Sequence, residues 1–247
     1  MRERFASSER GESASVLRRQ LLGCCASAVI VGLAGCLSTG LDAEETVPRE
    51  YDEDVSAVAV ETVNGEVEVR GEDRDTISVE GTKRAPDEDT LDEVSLESES
   101  DEETLALRAD VDTSSSLFSL GGASARIDLT VWVPETLVVE AETTNGDVDL
   151  DLRAPDDVTA DTTNGDIAIA LDATPDILAE TTNGDVEITL PETAEPEISF
   201  ETTNGDIEVS DLIDSLEADS STETTIGDGT HEILVETTNG NLRVRAR

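Results

Sequence analysis

Thr143-Thr144-Asn145-Gly146-Asp147-Val148-Asp149-Leu150-Asp151-Leu152 is the stretch whose reading decides the fold. After Asn-Gly, apolar and acidic residues alternate strictly, the period-two pattern of a strand with one buried and one solvated face. Before it, Val139, Ala141 and Thr143 alternate with Glu140 and Glu142 in the same way. The pentapeptide Thr-Thr-Asn-Gly-Asp recurs at 162–166, 181–185 and 202–206, and Thr-Thr-Asn-Gly-Asn stands at 237–241. Thr62-Val63-Asn64-Gly65-Glu66 is an early relative, and Thr224-Thr225-Ile226-Gly227-Asp228 reads as a degenerate copy. Asn145, Asn164, Asn183 and Asn204 follow one another at a nearly constant interval. A fixed period near 20 is the mark of a repeat architecture.

Two all-β architectures fit. In a meander of repeated β-hairpins, Asn145-Gly146 is a two-residue turn that pairs Thr143 with Val148 and Ala141 with Leu150; both turn residues tolerate positive φ. In a β-solenoid each copy is one rung of about 20 residues, and equivalent positions stack on one another. A hairpin needs only Asn-Gly, whereas stacking gives all five residues a like neighbour, including amide and hydroxyl ladders. The repetitive, β-helix-like solenoid is therefore the expected fold. Its structural turns are Asn64-Gly65, Asn145-Gly146, Asn164-Gly165, Asn183-Gly184, Asn204-Gly205 and Asn239-Gly240. In such a stack Asp147, Asp166, Asp185 and Asp206 lie about 4.8 Å apart and repel by just under ~1 kcal/mol per pair at the dielectric of water. The run lacks the Gly-Gly-x-Gly-x-Asp spacing of calcium-binding repeats.

The rest of the chain is less regular. Val58, Val60, Val67 and Val69 flank the early Asn64-Gly65 turn, while Ile77 with Val79 and Leu105 with Leu107 and Ala109 mark further strands. Ile127, Leu129, Val131 and Val133 form another, ending at Pro134. The segment from Asn64 to Asn145 is close to four periods long, compatible with degenerate rungs. Residues 114–125 read as a loop with exposed Leu117, Phe118 and Leu120. Arg243, Arg245 and Arg247 alternate with apolar residues and are expected to pair with acids such as Glu208, making a terminal cap.

The segment before Cys36 reads as an export signal, residues 1–35. Five arginines, including the pair Arg18-Arg19, precede an uncharged stretch that ends Leu33-Ala34-Gly35-Cys36. The twin arginine resembles a Tat signal, and Leu-Ala-Gly-Cys resembles a lipobox, which implies a lipid on Cys36 and attachment to the extracytoplasmic face of the cell membrane. Removal of the signal discards Cys24 and Cys25 and leaves no disulfide framework. Residues 36–53 read as an acidic tether, and 54–247 as the β-repeat domain, irregular over 54–134 and regular over 135–247.

Charge excludes whole classes of function. Sixteen basic residues, of which only Lys83 is a lysine, face 59 acids, for a formal charge of -43 in 247 residues. Such a surface repels phosphate backbones, so no nucleic-acid partner is expected. Self-repulsion of this size is relieved above 1 M salt, where the screening length is about 3 Å or less. Acid spread through the strands, with almost no lysine, resembles the proteins of extreme halophiles. Aromatics are 2% of the chain and His231 is the single histidine, so neither a metal site nor a catalytic triad is expected. No phosphate loop, nucleophile elbow or cofactor-binding signature occurs.

Repeats of this type, with the Val133-Pro134 strand end, resemble the putative-adhesin β-strand-repeat family of unknown function, over roughly residues 54–247. The signal is similar to that of its haloarchaeal lipoproteins. The resemblance implies a β-helix-like extracytoplasmic domain, and the residues themselves give no reason to expect a cofactor. The expected function is a non-catalytic binding or structural module of the cell envelope, with envelope proteins or glycans as partners. An envelope-stress sensing accessory and a carbohydrate-active β-helix enzyme are the alternatives.

Overall fold

A computed structural model describes residues 41–247 apart from 53, 102, 112–124, 213–215 and 219. Arg18, Arg19, Cys36, Leu117, Phe118 and Leu120 lie outside the described residues. The irregular half contains β1 (Ala43–Tyr51), β2 (Ala57–Asn64), β3 (Val67–Glu72), β4 (Ile77–Ala85), one helical turn α1 (Glu88–Leu91), β5 (Val94–Ser100), β6 (Thr104–Val111) and β7 (Arg126–Pro134). The regular copies follow as pairs: β8 (Val138–Asn145) with β9 (Val148–Leu152), β10 (Asp157–Asn164) with β11 (Ile167–Leu171), and β12 (Asp176–Asn183) with β13 (Val186–Leu190). Next come β14 (Pro196–Asn204) with β15 (Ile207–Ser210), the short strands β16 (Leu216–Ala218) and β17 (Ser221–Thr225), and finally β18 (His231–Asn239) with β19 (Leu242–Ala246).

The two strands of each pair enter different sheets. One sheet has the order β1-β4-β7-β3-β9-β11-β13-β19-β15-β16, the other β17-β14-β18-β12-β10-β8-β2-β6-β5. Strands β8 and β9 never pair, so the hairpin alternative falls and the fold is a β-solenoid. Apolar residues at alternate positions of both sheets form one buried cluster; Val148, Leu150 and Leu152 from one sheet and Val139 and Ala141 from the other are each at most 1% exposed. A corner of two residues between strands of strict period two aims both strands' apolar faces inward, which is why the alternation continues across the turn.

The stacking order departs from the sequence order. The last copy inserts between the third and fourth regular copies: β18 pairs in parallel with both β12 and β14, and β19 with both β13 and β15. The rung that carries Arg243, Arg245 and Arg247 therefore lies inside the stack and makes no terminal cap. The ends are instead closed by strands that run antiparallel to their neighbours, β16 and β17 at one end and β1 and β5 at the other. None of these four strands carries the Asn-Gly corner that another parallel rung would stack upon, so they blunt the open edge.

Three further expectations are corrected. Residues 43–51, read as part of the tether, form β1 along β4, because their alternate residues can cover the sheet edge. The segment between Asn64 and Asn145 does not hold a series of intervening rungs: the two asparagines are direct neighbours. The excursion supplies one outer pair, β6 and β7, parallel to β2 and β3, plus the antiparallel strands beyond them. Thr224-Thr225-Ile226-Gly227-Asp228 is no rung either. It ends the antiparallel β17, and Gly227 has φ +60° where the stacked corners do not need it.

Candidate binding surface

The corners stack into a ridge. Asn64, Asn145, Asn164, Asn183, Asn239 and Asn204 follow one another, joined by side-chain amide-to-oxygen hydrogen bonds of 2.9–3.0 Å. The first threonine of each copy is buried and donates to the glycine carbonyl of the neighbouring rung: Thr143 to Gly65, Thr162 to Gly146, Thr181 to Gly165, Thr237 to Gly184 and Thr202 to Gly240, at 3.0–3.2 Å. The hydroxyls thus bind carbonyls and not one another, since a buried carbonyl left unsatisfied is the greater penalty. Glycine is required here for closeness. A Cβ on Gly146, Gly165, Gly184, Gly205 or Gly240 would lie 1.8–1.9 Å from the carbonyl oxygen of the next glycine. Among these six turn glycines only Gly65 has a positive φ, and none of the six asparagines does, which corrects the left-handed turn expected of Asn-Gly.

The aspartates of the ridge are built in as acceptors. Asp147 Oδ1 accepts the backbone N–H of Asp166 at 2.9 Å, and Asp166 Oδ1 accepts that of Asp185 at 2.8 Å. Asp185 and Asp206 are not neighbours as expected, because Asn241 sits between them. Its N–H donates to Asp185 Oδ1 at 2.7 Å, and its side-chain oxygen accepts the N–H of Asp206 at 3.0 Å. Among the described residues no group of three or more acidic, histidine or cysteine side chains is placed to hold a metal ion.

The two outward faces differ in charge. On the β9 side the last rung interleaves cations with acids: Arg243 bonds Glu208 at 3.1 Å, Arg245 reaches Glu187 at 2.5 Å, and Arg247 pairs with Asp172. The sheet containing β8 instead carries a row of carboxylates in register: Glu61, Glu142, Asp161, Glu180, Glu236 and Glu201. Arg108 closes one end of that row by bonding Glu61 at 2.7 Å. Beside the acids runs a second row, Thr144, Thr163, Thr182, Thr238 and Thr203, all exposed. Acids and threonines together wall a shallow groove of about 460 Å³ between Asp161 and Glu201. Partial burial holds the carboxyl groups of Glu142, Asp161 and Glu180 above their ordinary range, and neighbouring carboxylates push Glu142 and Glu180 further up.

Position in the sequence already marked this row. Each acid immediately precedes the first threonine of its copy, followed by a second threonine everywhere except after Glu61, so the repeating unit is better written as an acid followed by Thr-Thr-Asn-Gly. The five repeated residues draw attention away from the acid, because Asp161 stands where the other copies have Glu. The outward positions Asp149, Glu187 and Glu208 lie on the opposite sheet. His231 stands at the start of β18 with Nδ1 3.4 Å from Asp176, a position on the sheet's rim.

The chain matches the family described as Toastrack DUF4097 over residues 44–245, from within β1 to within β19. The chain belongs to this family. No curated protein matches it. Among solved structures, the toastrack fold is shared with a protein from Clostridium sporogenes described as a putative cell adhesion protein. It is 12% identical, the alignment covers 83% of this chain and 100% of that one, and the TM-score is 0.60. A putative adhesin from Bacteroides fragilis is 11% identical over 81% of this chain and 97% of its own, with a TM-score of 0.31. A putative lipid binding protein from Parabacteroides distasonis is 10% identical over 84% and 98%, with a TM-score of 0.26.

Proposed function

We propose that this protein is a non-catalytic, adhesin-like binding or structural module, held on the extracytoplasmic face of the membrane by a lipid on Cys36 and adapted to multimolar salt. One observation carries the binding role: successive rungs present a carboxylate and a threonine outward, in register, along the sheet that contains β8. An active site needs unlike groups that converge on one reacting atom. This face repeats one pair of groups instead, which suits a partner that is itself extended or repetitive, such as an envelope protein or glycan. The shared fold with a protein described as a putative cell adhesion protein agrees with that role. The anchor and the salt adaptation rest on Leu33-Ala34-Gly35-Cys36 and on the charge of -43.

Photo-crosslinking on intact cells at native salt tests the binding role. Probes at Thr163, Glu180 and Glu236 sit on the acid–threonine face, and probes at Asp149 and Ala168 sit on the other sheet as controls. A discrete foreign adduct from the first set alone supports a binding module, and self-adducts alone support a structural array. Absence of adducts from both sets refutes the proposal. The anchor is tested separately: Cys36→Ser is expected to move the protein from the membrane fraction to the soluble fraction, and unchanged retention would remove the lipid from the proposal.

A further inference from the structure

The position of the last rung raises a problem of specification. The corners Thr181-Thr182-Asn183-Gly184, Thr202-Thr203-Asn204-Gly205 and Thr237-Thr238-Asn239-Gly240 are identical in sequence. Any of them can supply the buried threonine, the amide and the close glycine that stacking requires. The β14–β15 rung comes directly after the β12–β13 rung in the chain, and only the short link 191–195 joins them. Corner chemistry would let it stack there. The C-terminal rung occupies that place instead.

The three positions where this rung departs from the others explain the choice. In sequential order Asp206 would stack on Asp185 and Glu208 on Glu187, two contacts between like charges. In the observed order Asn241 replaces the first with hydrogen bonds to both aspartates, 2.7 Å to Asp185 Oδ1 and 3.0 Å from the Asp206 N–H. Arg243 replaces the second, opposite Glu187 in register on one side and bonded to Glu208 at 3.1 Å on the other. Arg245 adds Glu187 at 2.5 Å and the Thr189 hydroxyl at 3.3 Å. The order also leaves the outer side of β14 and β15 free for the antiparallel strands β17 and β16 that close the stack. Where the other regular rungs carry acids, Ala, Ser or Thr at these outward positions, only the last carries Asn241, Arg243 and Arg245 together.

We propose that Asn241, Arg243 and Arg245 decide the order in which the rungs stack, so that residues 176–246 reach their native arrangement only when the β18–β19 rung inserts between two that precede it in the chain. The device has two consequences. Native stacking of β14 and β15 waits for β18 and β19, since the place beside β12 and β13 is filled by strands that come later in the chain. Order is also selected by charge against a competing register of the same strands, so the selection weakens as salt screens it.

Disulfide trapping distinguishes the two orders. In the full chain with Cys24, Cys25 and Cys36 changed to serine, Thr182→Cys with Thr238→Cys reports the inserted order, and Thr182→Cys with Thr203→Cys reports the sequential one. Strands are about 4.8 Å apart, and a disulfide does not bridge Cα atoms beyond about 7 Å, so only adjacent rungs crosslink. The 182–238 bond is expected in the parent protein, and the 182–203 bond is not. Combining Asn241→Asp, Arg243→Glu and Arg245→Glu restores like-charge contacts, each a modest penalty; together they should shift the ratio of the two bonds by about tenfold toward 182–203. A chain ending at Thr230 keeps the trap readable if the triple variant fails to fold. In it β14 and β15 should collapse onto β12 and β13 and form the 182–203 bond. Formation of the 182–203 bond in the parent overturns the proposal, as does its absence from the truncated chain. So does a triple variant that folds and leaves the ratio unchanged.

Discussion

Replacing Gly165 by alanine tests what the repeat glycine is for. Its Cβ would stand 1.8 Å from the Gly146 carbonyl oxygen and 2.5 Å from the carbonyl carbon, both backbone atoms that cannot swing aside. Ordinary contact needs about 3.5 Å, so the two corners must part by roughly 1.5 Å. Five hydrogen bonds cross that gap: Gly146 N–H to Asn164 O at 3.0 Å, Val148 N–H to Asp166 O at 2.9 Å, Thr162 Oγ1 to Gly146 O at 3.0 Å, Asn164 Nδ2 to Asn145 Oδ1 at 3.0 Å, and Asp166 N–H to Asp147 Oδ1 at 2.9 Å. Each contributes about 1 kcal/mol net, and stretching three or four of them gives a loss of about 3 kcal/mol. Gly205→Ala meets the same obstacle, 1.8 Å from Gly240 O. Its corner is the last in the ladder, however, and can move outward without disturbing another, so the loss there should be about half as large. Urea unfolding in multimolar KCl, followed by circular dichroism, measures both. Gly165→Asn completes the series: a left-handed turn accepts asparagine, whereas a stacked corner rejects it as firmly as alanine. A Gly165→Ala protein within about 0.5 kcal/mol of the parent, or a tolerated Gly165→Asn, would refute the close-approach account of the repeat.

Thr181→Val keeps the shape of a buried residue and deletes its hydroxyl, leaving the Gly165 carbonyl without the 3.1 Å bond it now accepts; a loss of about 1–3 kcal/mol is expected in the same urea assay, and Thr181→Ser should recover most of it. Stability should rise as pH falls from neutral toward the ordinary carboxylate range. Glu142, Asp161 and Glu180 have folded pKa values above their unfolded ones, so the folded state binds the extra protons. The gain is complete below the unfolded values. Thermal melts at pH 7 and pH 5 in high KCl should show it, and Glu142→Gln with Glu180→Gln should flatten it. Circular dichroism should show β structure in multimolar KCl and its loss on dialysis to low salt, because the formal charge of -43 is then unscreened; a spectrum indifferent to salt contradicts the salt adaptation.

Much of this molecule was legible in a single repeat. Alternation around Asn145-Gly146 determined two half-buried strands and the faces they bury, and the period near 20 with five repeated residues determined a stack. These are local facts: period two decides which side chains share a face, and identity at every corner position has no use unless like stacks on like. The asparagine ladder and the pairing of Arg243 with Glu208 followed from the same reasoning. What the glycine does could not be read locally, because Asn-Gly is equally the signature of a left-handed turn. Only the neighbouring rung, with its carbonyl oxygen 1.8 Å from where a Cβ would stand, shows that closeness and not torsion demands it. Likewise the carboxylate row from Glu61 to Glu201 needs the register between rungs before six scattered acids become one face.

Rung order was decided by tertiary structure alone. Six corners of nearly the same sequence are interchangeable as local elements, so proximity along the chain is the only guide to their order, and it misplaces the last one. It likewise made degenerate rungs compatible with the length of the segment after Asn64, when Asn64 lies directly on Asn145. The residues of each repeat determine what a rung is. Which rung lies beside which depends on charges that meet only after stacking, where Asn241 and Arg243 separate acids that would otherwise face one another.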